Sequence, residues 1–469
     1  MEFEIGHPVA MLESETCRLV LVLFPSQGHI NPMLQLATIL NSRGFSITIA
    51  HPEFNSPNPS NYPNFTFLPI PDGLSKSSLT VQDFHSTMLA IHRNCREPLR
   101  RFIQQMLEQN DPQGRVACII YDALMHFAQE VAAQLNLPSI NVRTSAAASM
   151  LAFAALPRAN EQGYITFTDS LIQDESLKLQ SLNIRDLLIT MGENPSDTVL
   201  ELRAATTSAT RNSCAAIVNT IHFLEEEMLP KIQEYFHAPI YAIGPFHKLA
   251  PSSSSSLLKE DTGCISWLDK QASRSVLYVS FGSVASMNEE QLLETAMGLA
   301  MSERPFLWVV RPSSVGCTEW LELLPKGLQE IIGQRGCIVK WAPQKEVLAH
   351  GAVGGFWTHC GWNSTLESIC EGVPMLCWPV FGDQGLDAKY ISHVWKIGLE
   401  LEAKLERGKI AGAIRRLMVE EEGEEIRQQA QAFKERAERS LDMGGSTNTA
   451  LNELVELILS FQPQHVTSD

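Results

Sequence analysis

A histidine and an aspartate far apart in the chain are well placed to move a proton. His29 lies in the turn Pro25-Ser-Gln-Gly-His-Ile-Asn-Pro32, directly after the continuous apolar run Leu19–Phe24. Asp122 directly follows a second such run, Val116–Tyr121. Runs of this kind read as parallel strands covered on both faces. Equivalent strand ends in one parallel sheet share an edge, so the two side chains could meet. A carboxylate on one ring nitrogen would fix the tautomer and stabilise the imidazolium formed when the other nitrogen takes a proton. A helix N-terminus beside His29 favours the neutral imidazole, the form a general base requires. Pro32 suits the first turn of that helix, where its missing N–H costs nothing. Each residue alone has a plainer reading. A lone loop histidine is more often structural, and Asp122 is suited to cap a helix over Ala123–Leu135. The two readings of Asp122 are compatible.

A denser concentration of polar chemistry lies between Trp341 and Gln384. These 44 residues hold four tryptophans, two histidines, three glutamates, an Asn-Ser pair and a closing Asp-Gln between glycine turns. Cores keep polar groups only where they find partners, so this density points to a polar ligand with several distinct parts. Trp341 and Ala342 precede Pro343, which presents the indole from a loop, suited to stacking on a flat base, although a core tryptophan is commoner. His359-Cys-Gly-Trp-Asn-Ser364 leads from the strand Val353–Trp357 into a helix, aiming backbone N–H groups and the positive dipole end at a pyrophosphate. Glu367, four residues past Asn363, shares its helix face. Asp383 and Gln384 together can bond a fan of hydroxyls with fixed acceptor and donor positions. Ser280-Phe-Gly-Ser283 forms a further turn after a strand. No Asp-x-Asp pair occurs anywhere in the chain, so a metal-clamped diphosphate is not expected. Neither metal nor cofactor is anticipated.

The elements that must position these residues alternate along both halves. The first half reads as strands at 19–24, 46–50, 116–121, 139–142, 216–219 and 240–243, with helices at 31–42 and near 126–135. The second reads as strands at 276–281, 306–310, 337–340, 353–357 and 375–378. Ser286-x-x-Glu289 predicts a capping box opening a helix. Such alternation implies two doubly wound parallel α/β sheets. The length of 469 residues exceeds one ordinary core. Gly244-Pro245 and the Pro251–Ser256 stretch mark the boundary, giving a first domain over 1–246, a linker over 247–262 and a second domain over 263–446. A last helix follows Gly444-Gly445-Ser446-Thr447, with Leu451, Leu454, Val455 and Ile458 at helical spacing.

Composition narrows the partners. Hydrophobic residues make up 44% and charged residues 19%, an ordinary globular balance. A net charge of -17 argues against nucleic acid and anionic membranes. The acidic N-terminus lacks the apolar stretch of a signal peptide, and no segment is long enough to span a bilayer. A cytoplasmic location is expected. The ten cysteines include no CxxC pair, so reduced thiols are expected rather than a disulfide framework or zinc.

The Trp341–Gln384 segment resembles, nearly position for position, the donor-binding signature of plant family 1 UDP-glycosyltransferases acting on small molecules. That resemblance implies two Rossmann-like domains facing a cleft (the GT-B arrangement), with the last helix, 447–462, returning to the first. It implies that Trp341 stacks on uracil beside Ala342, while Gln344 helps hold the nucleoside. His359, Gly361, Asn363, Ser364 and Ser283 would meet the phosphates, Glu367 the ribose hydroxyls, and Asp383 and Gln384, with the Trp362 region, the hexose. His29 would be the general base and Asp122 its partner. Glutamine at 384 leans towards glucose. The family usually carries asparagine where this chain has Asp387, which leaves the electrostatics of the donor pocket open.

The implied reaction is inverting, metal-independent transfer of glucose from UDP-glucose to a hydroxyl or nitrogen of a small apolar metabolite, giving a β-glucoside. Two rival readings make different demands. A nicotinamide oxidoreductase would need G-x-G-x-x-G opening a helix after a strand, and neither glycine-containing turn supplies it. A non-catalytic sugar-nucleotide-binding protein would need neither His29 nor Asp122. The acceptor pocket is expected from the first half, with Ser26, Thr144, Met150 and Phe153 as candidates, although core packing explains Met150 and Phe153 equally well. Arg143 could face an acidic acceptor or simply be solvated. His51-Pro-Glu-Phe-Asn55 and Pro69–Ser75 look closest to the plant branch acting on cytokinins, diterpenoid glycosides and flavonoids. A monomer suffices for the mechanism.

Overall fold

The computed structural model describes residues 17–74, 84–109, 114–161, 196–250, 256–311, 330, 333 and 335–461. The apolar runs become two parallel sheets. The first contains β1 (Cys17–Val22), β2 (Ser46–Pro52), β3 (Phe65–Ile70), β4 (Arg115–Asp122), β5 (Ser139–Arg143), β6 (Ala215–Val218) and β7 (Ile240–Ala242). The second contains β8 (Val276–Ser280), β9 (Phe306–Val309), β10 (Gly336–Val339), β11 (Val353–Thr358), β12 (Met375–Cys377) and β13 (Gly398–Glu400). Their orders are β3-β2-β1-β4-β5-β6-β7 and β10-β9-β8-β11-β12-β13. Both reverse direction of winding beside their first strand, between β1 and β4 and between β8 and β11. Ligands of open α/β sheets bind at such switch points, outside the carboxyl ends of the strands.

β3 and β13 have no clear signal in the sequence. β3 is an edge strand, mostly half-buried, and its Pro69 fits only an edge. β13 has three residues, too few for a periodic pattern.

Three helix starts differ from expectation. The helix after β1 runs Gln27–Ser42, four residues earlier than expected, so Pro32 lies inside it and His29 in its first turn. The helix after β8 opens with a capping box of Asn288 and Gln291, not Ser286 and Glu289. Asn288 has the extended backbone an N-cap needs, with φ -77° and ψ 171°, which leaves Glu289 as the first helical residue. The last helix, Ser446–Ser460, has Gly445 as its N-cap. A Cβ on Gly445 would lie 2.4 Å from the Ser440 carbonyl oxygen, so glycine permits the close approach of the preceding helix.

That last helix packs Leu451, Leu454 and Ile458 into the core formed by Leu19, Ile47, Ile140 and Ile217 of the first sheet. Thr447 Oγ1 donates to the Gly244 carbonyl at 2.7 Å. The chain therefore crosses back to its first half. Among the described residues no helix is long and apolar enough to cross a membrane. The described cysteines are free thiols; Cys317, most of Pro251–Ser256 and the end of the 447–462 segment lie outside the described residues.

Candidate active site

The β1–β4 switch point brings His29 and Asp122 together. Val22 and Tyr121 are register partners, so the residues that follow them leave the sheet side by side. His29 Nδ1 lies 2.8 Å from Asp122 Oδ2. The other carboxylate oxygen, Oδ1, accepts the Leu124 backbone N–H at 2.9 Å, capping the short turn Ala123–Met125. Asp122 thus contacts His29 and caps a turn, although the turn is the single 3-10 turn Ala123–Met125 and the expected helix starts only at Phe127. Its side chain is 1% exposed, against 23% for His29. With the carboxylate accepting from Nδ1–H, the lone pair of His29 sits on Nε2. The edge-on Phe24 ring, 5.3 Å away between centroids, fixes the imidazole plane.

Thr144 Oγ1 lies 3.1 Å from the same Nδ1, which places this expected acceptor contact against His29. Ser26 is buried and its carbonyl accepts the His29 backbone N–H at 2.9 Å. It makes no side-chain cap, so it sets the turn through its backbone. Met150 and Phe153 are buried in the helix Ala147–Glu161. Lys178–Met191, a further candidate stretch for the acceptor wall, lies outside the described residues.

The β8–β11 switch point holds the second constellation. Ser280 and Thr358 are register partners, and the turns after them converge on one imidazole. A Cβ on Gly282, at φ +71°, would lie 2.6 Å from His359 Nε2, and one on Gly361 2.5 Å. Only glycine tolerates both the backbone and the approach at Gly282. His359 Nδ1 is buried without a hydrogen-bond partner among the described residues. Enclosure, and then the Arg311 charge, push its pKa down to about 4, so the ring is neutral near pH 7 and carries one N–H to give.

Behind it, Gln344 Nε2 donates to Glu367 Oε2 at 2.7 Å and to Ser364 Oγ at 2.9 Å. Tyr278 Oη donates to Gln344 Oε1 at 3.2 Å. Three expected donor residues therefore form one network, anchored on a strand tyrosine that the sequence did not single out. Burial raises the pKa of Glu367 and the Gln344 bond opposes that rise. Trp341 is half-buried and packs against the core that holds Tyr278, Phe356 and Trp362, beside buried Ala342. Ser283 is also half-buried, one residue past the Gly282 turn.

Gln384 Oε1 accepts the Val380 and Phe381 N–H groups at 2.9 and 3.0 Å. That leaves its amide N–H₂ to donate, beside an Asp383 carboxylate that can only accept. Asp387 is buried with both oxygens unpartnered among the described residues. Burial, then Asp383 and Glu225, raise its pKa well above the usual carboxylate range. Burial therefore disfavours its charged form, and the asparagine expected there has the same shape with no charge to bury.

Two of the expected site residues reach across to the first half. Trp362 is expected near a hexose, but its Nε1–H donates to the Asn219 carbonyl at 2.6 Å and its ring is 4% exposed. Its indole is committed to packing across the halves, leaving only the backbone at the helix start. Asn363 Nδ2 donates to the Gly28 carbonyl at 2.7 Å. That carbonyl would otherwise take an N–H four residues on, at Pro32, which has none. Glu225, also unforeseen, accepts the Ala147 and Ala148 N–H groups at 2.8 Å each, capping the helix that carries Met150 and Phe153. Nothing in the local sequence marks that partnership. Among the described residues no group of three or more His, Cys, Asp or Glu side chains forms a metal site.

Residues 20–444 match the model of the UDP-glucoronosyl and UDP-glucosyl transferase family. The chain belongs to this family of UDP-glycosyltransferases. This transferase is 45% identical to UDP-glycosyltransferase 76B1 of Arabidopsis thaliana over 96% of its length and all of that protein's. It is 46% identical to UDP-glycosyltransferase 76H1 of Stevia rebaudiana, over 91% of this chain and all of the relative. Among solved structures, Phytolacca americana UGT2 complexed with UDP-2fluoro-glucose and pterostilbene superposes with TM-score 0.78 at 28% identity, covering 95% of this chain and all of that one. A UDP-glucose: anthocyanidin 3-O-glucosyltransferase in complex with UDP gives 0.81 at 26% identity, over 96% and 100% of the two chains. The two sheets are those of the GT-B architecture, and the transferase is a glycosyl-transferring enzyme using a UDP-sugar and a small-molecule acceptor.

Proposed function

We propose that this transferase moves glucose from UDP-glucose to a small apolar acceptor by inverting, metal-independent chemistry, giving a β-glucoside. The observation that carries the reading is the His29–Asp122 contact of 2.8 Å, at the same switch-point edge that faces the donor-side residues. His29 Nε2 takes the proton from an acceptor hydroxyl or nitrogen. The freed lone pair forms a bond to the anomeric carbon of glucose. The bond from that carbon to the β-phosphate oxygen breaks, and its electron pair leaves with UDP. Asp122 stabilises the imidazolium. Attack opposite an α-linked diphosphate yields the β-anomer.

The helix Trp362–Glu371 supplies its N-terminal dipole to the diphosphate, with neutral His359, Ser283, Asn363 and Ser364 around it. Gln344 and Glu367 hold the nucleoside, Trp341 its base, and Asp383 and the Gln384 amide the sugar hydroxyls. Binding both substrates in one cleft makes the step effectively unimolecular. Because both halves of the cleft come from one chain, a monomer is sufficient. The test is UDP release from UDP-glucose with a panel of flavonoids, terpenoids, cytokinins and phenolic acids, with EDTA present. Turnover that survives EDTA and drops by roughly 10²–10⁴ in His29→Ala supports the mechanism. Loss with EDTA, or equal turnover in the variant, overturns it.

A further inference from the structure

One peptide group joins Gly28 to His29, and it is held at both ends. Its N–H donates to the Ser26 carbonyl at 2.9 Å. Its carbonyl accepts from Asn363 Nδ2 at 2.7 Å. The first partner is local, while the second lies 335 residues further along the chain. A peptide group is planar and resists twisting, so fixing both ends fixes the direction in which His29 leaves the backbone. Along that direction its ring meets Asp122 at 2.8 Å.

The Gly28 carbonyl is open to Asn363 because of Pro32. Inside a helix, a carbonyl is bonded by the N–H four residues on. Here that residue is Pro32, inside the helix Gln27–Ser42. Proline has no N–H, and its ring presses on the carbonyl four residues back. A carbonyl so displaced needs a donor from outside its own helix. Asn363 supplies it from the second position of the helix Trp362–Glu371.

That helix does not depend on Asn363 to stay docked on the first half. Trp362 Nε1–H donates to the Asn219 carbonyl at 2.6 Å, and Glu371 pairs with Lys248 at the other end. Asn363 is half-buried, and a neutral hydrogen bond in such a place adds modestly to stability. Its distinctive consequence is at His29.

We propose that Asn363 is a positioning residue for the base: its amide reaches across from the donor-side helix, sets the Gly28–His29 peptide plane and so aims the His29 ring, while Pro32 keeps the Gly28 carbonyl available to it. The inference rests on the transferase reading above, in which His29 takes the acceptor proton. An amide nitrogen carries two N–H groups, so one can hold Gly28 while the other faces the diphosphate. Donor binding and the orientation of the base then meet on one side chain.

The test uses the full chain and the fastest acceptor of the panel above. It follows kcat, UDP affinity by calorimetry and melting temperature in wild type, Pro32→Ala, Asn363→Ala and the double variant. Alanine at 32 supplies the missing N–H and removes the ring, so the carbonyl returns to its helix and leaves Asn363. Misplacing a catalytic group is costly, so kcat of Pro32→Ala should fall about 10- to 100-fold with little change in UDP affinity. Its melting temperature should equal or exceed that of wild type, because proline is the poorest residue for a helix interior. In the Asn363→Ala background, adding Pro32→Ala should leave kcat within about 2-fold, the non-additivity expected when both changes remove one bond. Wild-type kcat in Pro32→Ala, losses that multiply in the double variant, or a lowered melting temperature in Pro32→Ala would each overturn the proposal and leave the transferase reading intact. Wild-type turnover in His29→Ala would overturn both.

Discussion

At the switch point of the first sheet, His29 meets a carboxylate at 2.8 Å and keeps 23% of its side chain exposed. At the switch point of the second, His359 is closed in by Gly282 and Gly361, with no carboxylate on its ring among the described residues. The strand order around each is the same, yet one imidazole lies against a carboxylate and the other is enclosed without one among the described residues. Topology therefore decides where chemistry is placed, and the partner atoms decide which chemistry it is. At His359, enclosure makes protonation costly.

Breaking the two sites separately should give opposite kinetic signatures. The largest effect is on the first: His29→Ala should reduce kcat by about 10²–10⁴ while UDP binding, followed by calorimetry, stays near wild type. Loss of UDP binding in that variant would show that the two switch points are not functionally separate. On the second, Gly361→Ala drives a methyl group into His359 Nε2. Displacing that ring should weaken the donor side, with UDP-glucose KM raised roughly 10- to 100-fold, equivalent to about 1.4–2.7 kcal/mol. A fall in kcat at unchanged KM would count against a donor role for His359.

The protonation of His359 sharpens the comparison. Its native pKa is about 4, below the ordinary value near 6.5. The unfolded chain thus binds the extra proton first, and the stability contributed by the neutral ring is full above about pH 6.5 and lost as pH falls towards 4. UDP affinity depends on the folded protein alone, so it should hold through that window and change only as pH nears 4. A change well above pH 4 would mean that a group other than His359 titrates.

The smallest expected effect is at Asp387. Its native pKa is raised, so the folded state holds a proton that the unfolded chain releases above about pH 4. Stability from this site therefore falls as pH rises. Asp387→Asn should melt with wild type near pH 4 and about 1–2 °C higher at pH 8. Equal melting temperatures at both pH values would mean that the carboxyl finds solvent or a partner.

The sequence was most informative where a residue's task is local. Strand ends carrying His29 and Asp122, the helix start after β11, and the glycine turns could be read from apolar runs and turn residues, because buried parallel strands must be apolar on both faces. It was least informative where a partner comes from another element. Trp362 has the position of a site residue, yet Asn219 takes its indole N–H. Pro32 suits a first turn, yet the helix starts earlier, and the carbonyl it leaves unbonded is taken by Asn363 from the other half. Arg143 could be solvated, yet it is buried, and it shares the Phe153 ring with Arg203 from a helix that gives no signal of it.

What the chain determined by itself was the pair of doubly wound α/β sheets and the types of side chain delivered to their carboxyl edges, since hydrophobic periodicity and turn chemistry act over a few residues. What only the tertiary structure decided was which atoms meet: Nδ1 of His29 with Asp122, Gln344 with Glu367 and Ser364, and two arginines on one phenylalanine. Those contacts depend on distances between elements up to hundreds of residues apart, set by packing of whole sheets and helices rather than by any local preference.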